Sequence, residues 1–375
     1  MTTITFNDSR ILLHASSVAE ARLTIPDVRV IESARGGGGV YESPIAPRVL
    51  RRIRETGTDI PTDIQSSCDE HQRQIRQIAT LRGRLFEGAL PPLDHLVSTD
   101  TTLRRVQHVG ALIALSAERT ALFMDMGTGK TLTSLVACAH RFQKHGLRRV
   151  LVVAPATVAG GWATDIKRLA MRGQVEFVHA TGAQSKRRNA YAHARLVGNG
   201  DDYLSIVAVN YGSLANDAKR LCEMFDPQAV IIDESHYIKN ETSSRAKACQ
   251  IVADHARFVT LLTGTPYSEQ PTDIFSQYRV LDWRIFGANR NTFAERYAKL
   301  TKNYAAGEHA PDKVSLDPDK SSLLNRAIYL IGFRARKEDV LDLPAKRPPI
   351  QHRVELEPKT LKVIERLRKD GLSDL

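Results

Sequence analysis

The run Met124-Asp-Met-Gly-Thr-Gly-Lys-Thr131 follows a short apolar segment, Ala121–Met124, and opens a helix-like stretch, Thr131–His145. Strand, glycine-rich loop, helix is the context a phosphate-binding loop requires, and it predicts that the chain around it alternates strands with helices. Gly127 and Gly129 let the backbone curl so that several N–H groups of Met126–Gly129 point at one phosphate, with the positive end of the helix dipole behind them. Lys130 is spaced to reach β- and γ-phosphates, and the Thr131 hydroxyl to ligate Mg²⁺. The strict pattern asks for a glycine where Met124 stands.

From about residue 101 the alternation is explicit. Apolar runs recur at Ala121–Met124, Val150–Ala154, Val175–Val178, Ser205–Val209, Val230–Ile232 and Val259–Leu262, separated by longer amphipathic stretches. This texture predicts an α/β fold with a parallel sheet buried by helices on both faces. Gly146 is the expected C-cap of the helix after the loop. Residues 1–56 read instead as a small α+β domain. Its expected strands are Thr3–Phe6, Arg10–His14, Val28–Ile31 and Val40–Ser43, with helices over Val18–Leu23 and Val49–Glu55 and a glycine turn at Gly36–Gly39. Pro44 and Pro47 read as breaks, and Arg48, Arg51, Arg52 and Arg54 give the second helix a basic character. Residues 57–100 read as a connector with a charged helix over Asp63–Leu85, ended by Pro91 and Pro92.

Composition excludes several classes. No stretch approaches the roughly 18 apolar residues of a membrane span, so no membrane partner is expected. The N-terminus lacks a charged start followed by an apolar core. The four cysteines, Cys68, Cys138, Cys222 and Cys249, form no CxxC pair, which argues against a zinc knuckle or disulfide framework and for a reducing, cytoplasmic location. A net charge of +11 favours a polyanionic partner. Lys186–Arg188 and Arg148-Arg149 are candidate phosphate-tracking clusters, although such runs are commonly solvated faces.

Val230-Ile-Ile-Asp-Glu-Ser-His236 is an apolar strand ending in two carboxylates. At the carboxyl end of a parallel strand both can face a ligand in the crevice. Asp233 is then placed to hold Mg²⁺ through water, and Glu234 to orient or deprotonate an attacking water.

With both nucleotide motifs in hand, Asp233-Glu-Ser-His236 resembles the DEAH-type box of superfamily 2 helicases, and VIIDESHYIKN resembles the longer box of the Swi/Snf-type ATPases. Other segments agree in order. Thr102-Leu-Arg-Arg-Val-Gln107 resembles the family's LRxxQ segment, which implies that Gln107 contacts adenine. Leu151-Val-Val-Ala-Pro155 followed by Trp162 resembles motif Ia, and Val207-Ala-Val-Asn-Tyr211 takes the place of a TTY-like stretch, with Asn210 for a Thr. Leu262-Thr-Gly-Thr-Pro266 resembles motif III, so Thr263, Gly264 and Thr265 are expected to link hydrolysis to nucleic-acid contact, with His236 coupling the acidic box to them. Pro155 and Asn210 are carried over as nucleic-acid contacts. Trp162 reads as a packing residue rather than a base stacker. Phe333–Val340 followed by Leu343-Pro344 resembles the basic segment closing lobe 1.

The resemblance spans residues 101–355 and implies a RecA-like motor lobe that uses ATP and Mg²⁺ on DNA, duplex or branched. Met124 and Asp125 stand where the family usually carries an acidic pair, a change expected to affect loop flexibility more than phosphate contact. Ser235 replaces an Ala. No QxxGR-like segment of a second RecA-like lobe is found, so a second lobe from another chain is the expected partner, approached through a helix over 356–375. The N-terminal unit, with Ile25-Pro-Asp-Val-Arg29 and Tyr41-Glu-Ser-Pro44, resembles the HepA-related accessory domain of annealing helicases. Compact ATPases of this kind, sometimes split between genes, are familiar from bacteriophages, which would put this chain in a host cytoplasm. Two functional classes follow: a DNA-dependent ATPase that translocates when completed by a second lobe, and a half-motor that binds nucleotide and DNA but hydrolyses little.

Overall fold

The computed structural model describes residues 2–7, 10–25, 28–33, 38–267, 270–301 and 313–340. The expected helix over 356–375, the Leu343-Pro344 pair and residues 341–355 of the expected lobe lie outside the described residues, as do Gly36, Gly37, Pro26 and Asp27.

The N-terminal strands are β1 (Thr3–Asn7), β2 (Arg10–Ala15), β3 (Arg29–Ser33) and β4 (Gly39–Ser43), accompanied by helices α1 (Val18–Thr24) and α2 (Pro47–Glu55). They form an antiparallel sheet in the order β1-β2-β4-β3. Alternation makes this sheet one-sided: Ile11, Leu13 and Ala15 of β2 are buried while His14 faces out. Helix α2 begins two residues before the expected start, because Pro47 occupies its first turn, where a missing N–H costs nothing. It buries Val49, Leu50 and Ile53 and turns Arg48, Arg51, Arg52 and Arg54 outward.

The connector is dominated by α3 (Thr62–Gly83), 22 residues and therefore about 33 Å long. Its first half places Ile64 and Cys68 in the N-terminal core, and its last turns place Ile78 and Leu81 in the core of the large layer. One helix thus shares its apolar face between two cores.

The large layer contains α4 (Arg105–Ser116), β5 (Arg119–Met124), α5 (Lys130–His145), β6 (Arg149–Ala154), the short helices α6 (Ala156–Ala159) and α7 (Trp162–Ile166), and β7 (Val175–His179). It continues through α8 (Gln184–Val197), β8 (Leu204–Asn210), α9 (Tyr211–Phe225), β9 (Ala229–Asp233), α10 (Ser244–His255) and β10 (Phe258–Leu262). It closes with α11 (Thr272–Asp282), α12 (Arg290–Tyr297), the hairpin strands β11 (Ala298–Thr301) and β12 (Lys313–Leu316), α13 (Pro318–Ile328), β13 (Gly332–Ala335) and α14 (Lys337–Val340). Seven strands form one parallel sheet, in the order β13-β5-β10-β9-β6-β8-β7. Burial on both faces explains the unbroken apolar runs: Val150, Leu151, Val152 and Val153 are all fully buried. Gly146 ends α5 in the left-handed region at φ 66°, its N–H returning to the Arg141 carbonyl.

Six of the seven strands coincide with the expected runs. The seventh, β13, was not expected as a strand. It is four residues long, Arg334 interrupts its apolar pattern, and it exists because it pairs with β5 at the sheet edge. The hairpin β11–β12 was likewise unexpected, its strands being only four residues each.

Candidate active site

The sheet order sets the site. Leu122 of β5, Leu262 of β10 and Asp233 of β9 are register partners, so the segments after the three strands emerge side by side at the carboxyl edge. Those segments are the glycine loop, Thr263-Gly-Thr265 and Glu234-Ser-His236. A ligand at the carboxyl ends of a parallel sheet meets all three.

The loop is backbone-determined. Gly127 and Gly129 adopt φ 83° and 91°, where a side chain is strained. At Gly129 a β-carbon would also fall 1.9 Å from Gln107 Nε2, so the glycine is required twice over. Gln107 is buried against the loop, and its Oε1 accepts the Arg104 N–H at 2.9 Å. Arg104 in turn donates to the Gly127 carbonyl at 3.3 Å. The segment expected to read adenine therefore braces the phosphate loop directly. Thr128 is buried, and both its N–H and its hydroxyl donate to the Asp125 carbonyl. Its side chain closes the turn rather than facing a ligand. Met126 is 76% exposed at the loop tip. Lys130 and Thr131 open α5, with Lys130 buried and Thr131 half-buried.

Lys130 Nζ lies 3.9 Å from Glu234 Oε1. Glu234 Oε2 is 3.3 Å from His236 Nδ1, and the same nitrogen is 3.3 Å from Thr263 Oγ1. The phosphate loop, acidic box and third motif are thus joined by a chain of polar contacts. Thr263 is fully buried, and its hydroxyl accepts the Thr265 N–H at 3.2 Å. Gly264 lies directly against the backbone of Met124–Met126.

Asp233 is 4% exposed. Burial pushes its carboxyl up to about 6, and the Glu234 charge adds to the rise; Trp162 and Lys130 oppose it. Trp162 Nε1 donates to Asp233 Oδ2 at 3.2 Å, and the Glu234 N–H to Oδ1 at 3.0 Å. Trp162 is indeed packed, at 1% exposed, but it also orients the acid, a role the sequence reading missed. So does Tyr211, whose hydroxyl donates to the carbonyls of Asp233 and Glu234 at 2.7 and 3.3 Å. These bonds hold Glu234 in the left-handed region at φ 51°, a strained conformation that turns the chain sharply at the strand end. Gln277, fully buried on α11, accepts the Ser235 hydroxyl at 2.6 Å and donates to the Pro266 carbonyl. That explains why a serine is tolerated at this buried position: its hydroxyl has a partner. Gln277 is separated from Ser235 by 42 residues, and no sequence signal marks it.

Pro155, Asn210 and Thr265 lie at the same carboxyl edge, at the ends of β6, β8 and β10, but the structure gives Pro155 and Asn210 structural tasks there, and the basic clusters fall elsewhere. Pro155 is buried at the end of β6, its carbonyl starting α6. Asn210 caps α9 by accepting the Ser213 N–H at 2.8 Å. Thr265 is exposed. Arg187 is committed to a buried ion pair with Asp217 at 2.6 Å that holds α8 to α9. Arg148 and Arg149 sit at the opposite edge of the sheet, bound to Asp201 and Asp226. Arg148, Arg149 and Arg187 are therefore held in structural ion pairs, while Lys186 is exposed and Arg188 donates to Gln184.

The oxygen donors suit a hard divalent cation. Asp233 and the Thr131 hydroxyl are the ligand types Mg²⁺ takes, and among the described residues no group of three or more His, Cys, Asp or Glu forms a metal cage. A cation here would share its coordination with nucleotide phosphates and water.

A doubly flanked parallel sheet with these motifs at its carboxyl edge defines a P-loop ATPase lobe. Residues 96–369 match the family model described as the SNF2-related domain, and the chain belongs to that family of superfamily 2 helicase-like ATPases. It is 29% identical over 282 residues to the SWI/SNF-related matrix-associated actin-dependent regulator of chromatin subfamily A-like protein 1 of Xenopus tropicalis, covering 73% of this chain and 26% of the relative. It is 28% identical over 251 residues to the DNA annealing helicase and endonuclease ZRANB3 of Mus musculus, covering 66% of this chain and 22% of that protein. The chain spans about a quarter of the length of these relatives. Its fold is that of the Sulfolobus solfataricus SWI2/SNF2 ATPase core solved in complex with dsDNA, at a TM-score of 0.50 and 20% identity, over 67% of this chain and 47% of that one.

Proposed function

We propose that this chain is the ATP-binding lobe of a DNA-dependent translocase, and that it hydrolyses ATP to ADP and phosphate when a second RecA-like lobe completes the site. The observation that carries the reading is the contact chain Lys130–Glu234–His236–Thr263. These contacts bring Lys130, Glu234, His236 and Thr263 together at adjoining strand ends, which supports reading them as phosphate-binding cation, base and coupling residues.

In this reading Gln107 contacts adenine, and the Met126–Gly129 loop wraps the phosphates, Thr128 keeping its turn closed through its bonds to the Asp125 carbonyl. Lys130 holds the β- and γ-phosphates, while Thr131 and Asp233 hold Mg²⁺, which neutralises phosphate charge when bound. Glu234 orients the attacking water and receives its proton. His236, Thr263, Gly264 and Thr265 transmit the nucleotide state toward DNA; Pro155 and Asn210, expected as nucleic-acid contacts, serve this edge by starting α6 and capping α9. Residues 1–56 serve as an accessory domain, 57–100 as a helical connector, 101–355 as the motor lobe and 356–375 as the lead to a second lobe. The charge of +11 and the annealing-helicase relative support a DNA partner, duplex or branched. Four buried, free cysteines fit a reducing cytoplasm, and among the described residues no helix is long and apolar enough to cross a membrane.

The half-motor reading is favoured by one consideration. Arginines from a second lobe supply transition-state stabilisation on the order of 10³–10⁵ in related phosphoryl transfer. Lys130 acts already in the ground state and cannot replace them. The 375-residue chain should therefore bind ATP yet turn over slowly until a lobe bearing QxxGR is added. Phosphate release is measured for the wild type and Lys130→Ala, with duplex, forked and single-stranded DNA, with and without that lobe. Loss of activity in Lys130→Ala supports the reading; equal activity sinks it. Rapid DNA-stimulated turnover by the chain alone, shown monomeric by light scattering, overturns the need for a second lobe.

A further inference from the structure

We propose that Lys337 is a second phosphate-facing cation of the nucleotide site, delivered to the loop by the chain that leaves the sheet through β13. The inference rests on the reading of Gly127–Thr131 as a nucleotide loop and adds a residue to it.

The placement follows from register. Strand β13 runs parallel to β5, with Ala335 paired to Met124. Beyond the strand ends the two chains stay joined: the Asp125 N–H donates to the Ala335 carbonyl at 3.1 Å, and the Lys337 N–H donates to Asp125 Oδ2 at 2.9 Å. Two residues past Ala335, Lys337 is therefore fixed by its backbone beside the loop's first glycine. A β-carbon built on Gly127 would lie 3.9 Å from Lys337 Nζ and 4.0 Å from Cε. Gly127 is exposed and so is Lys337, so the ammonium stands on the open side of the loop rather than in the protein interior.

The chemistry is that of an anion site. Lys130 approaches from the start of α5 and its ammonium is already near Glu234. Among the described residues no carboxylate stands within ion-pair distance of the Lys337 ammonium, whereas its neighbour Arg336 pairs with Glu338. A compact ammonium beside a curled, N–H-rich loop is suited to the oxygens of a nucleoside di- or triphosphate. Asp125 orients the backbone that carries Lys337. The acidic residue ahead of the loop thus positions a cation, beyond the effect on loop flexibility expected of it.

The test is nucleotide binding by the full chain, with circular dichroism and melting as fold controls. Affinities for ADP, ATP and adenosine are compared for the wild type, Lys337→Ala, Lys337→Arg and Asp125→Asn. A charge-assisted contact at an exposed site predicts that Lys337→Ala weakens ADP and ATP on the order of 10-fold at low salt, less at high salt. Adenosine should be unaffected, Lys337→Arg should retain most of the affinity, and Asp125→Asn should lose part of it. Unchanged ADP affinity in Lys337→Ala overturns the proposal. So does a parallel loss of ADP and adenosine, which would mean a packing role. A wild type that binds ADP no better than adenosine overturns the nucleotide reading itself, and this proposal with it.

Discussion

Asp233 is buried at the end of β9, with Trp162 and the Glu234 N–H each donating to one of its oxygens. Burial pushes this carboxyl up to about 6, and both bonds oppose that rise by favouring the charged form. Trp162→Phe preserves most of the buried ring and removes the donor. Partners that orient a metal ligand are typically worth 10–100-fold in metal affinity, so the variant should need about 10-fold more Mg²⁺ for half-maximal activity while remaining folded. A Mg²⁺ titration of phosphate release checks this; an unchanged requirement would show that the indole only packs. At this scale the sequence is legible where chemistry is carried by contiguous residues. Lys130, Asp233, Glu234 and His236 could be picked out as neighbours because strand and loop context restrict where they stand. Trp162, Tyr211 and Gln277 reach the same site from distant segments, and residue type alone carries no record of that reach.

Among elements, the amino edge of the sheet holds the polar joint that ties α11, β5 and α3 together. Asp282 ends α11 fully buried, its carboxylate paired with Arg284 at 2.7 Å and flanked by Arg119 and His71. Desolvation alone would raise this carboxyl; the Arg284 charge and hydrogen bond, with His71 and Arg119 behind them, outweigh it and hold it down to about 2. Because the folded pKa is depressed, the stabilisation is present above the unfolded value near 4 and lost as pH falls through about 2. Arg284→Met strips the buried carboxylate of its main partner, at a cost of about 3–5 kcal/mol near neutral pH. Thermal melting should show a large gap from wild type at pH 7 that narrows toward pH 3; a gap independent of pH would count against the pairing. Element positions were readable wherever burial on both faces enforced an unbroken apolar run, as in β6 and β8. Strand β13 was not, since an edge strand carrying Arg334 is defined by its neighbour β5 rather than by its own pattern.

Over the whole molecule, α3 links the small antiparallel sheet to the large layer, and Arg29 adds a polar tie. Its guanidinium pairs with Glu42 at 2.6 Å and Asp254 at 3.6 Å and lies 5.2 Å above the Trp283 ring. Composition predicted a polyanionic partner but not where it docks, and the clusters that looked most suitable, Arg148-Arg149 and Arg187, turned out to be held by carboxylates. DNA binding should still follow the net charge. Affinity for duplex DNA should fall steeply between about 50 and 200 mM salt, with little sequence preference, as expected of phosphate neutralisation. Fluorescence anisotropy across that range checks it, and a flat response would remove DNA as the partner.

The carboxyl edge of β5, β9 and β10 is expected to bind ATP through Lys130 and to hydrolyse it through Glu234. The most direct measurement compares MgATP binding by calorimetry with single-turnover hydrolysis, second lobe present, in wild type, Lys130→Ala and Glu234→Gln. Lys130→Ala should lose binding, whereas Glu234→Gln should bind at least as tightly as wild type yet hydrolyse at least about 100-fold more slowly. Wild-type binding in Lys130→Ala, or wild-type turnover in Glu234→Gln, would contradict it.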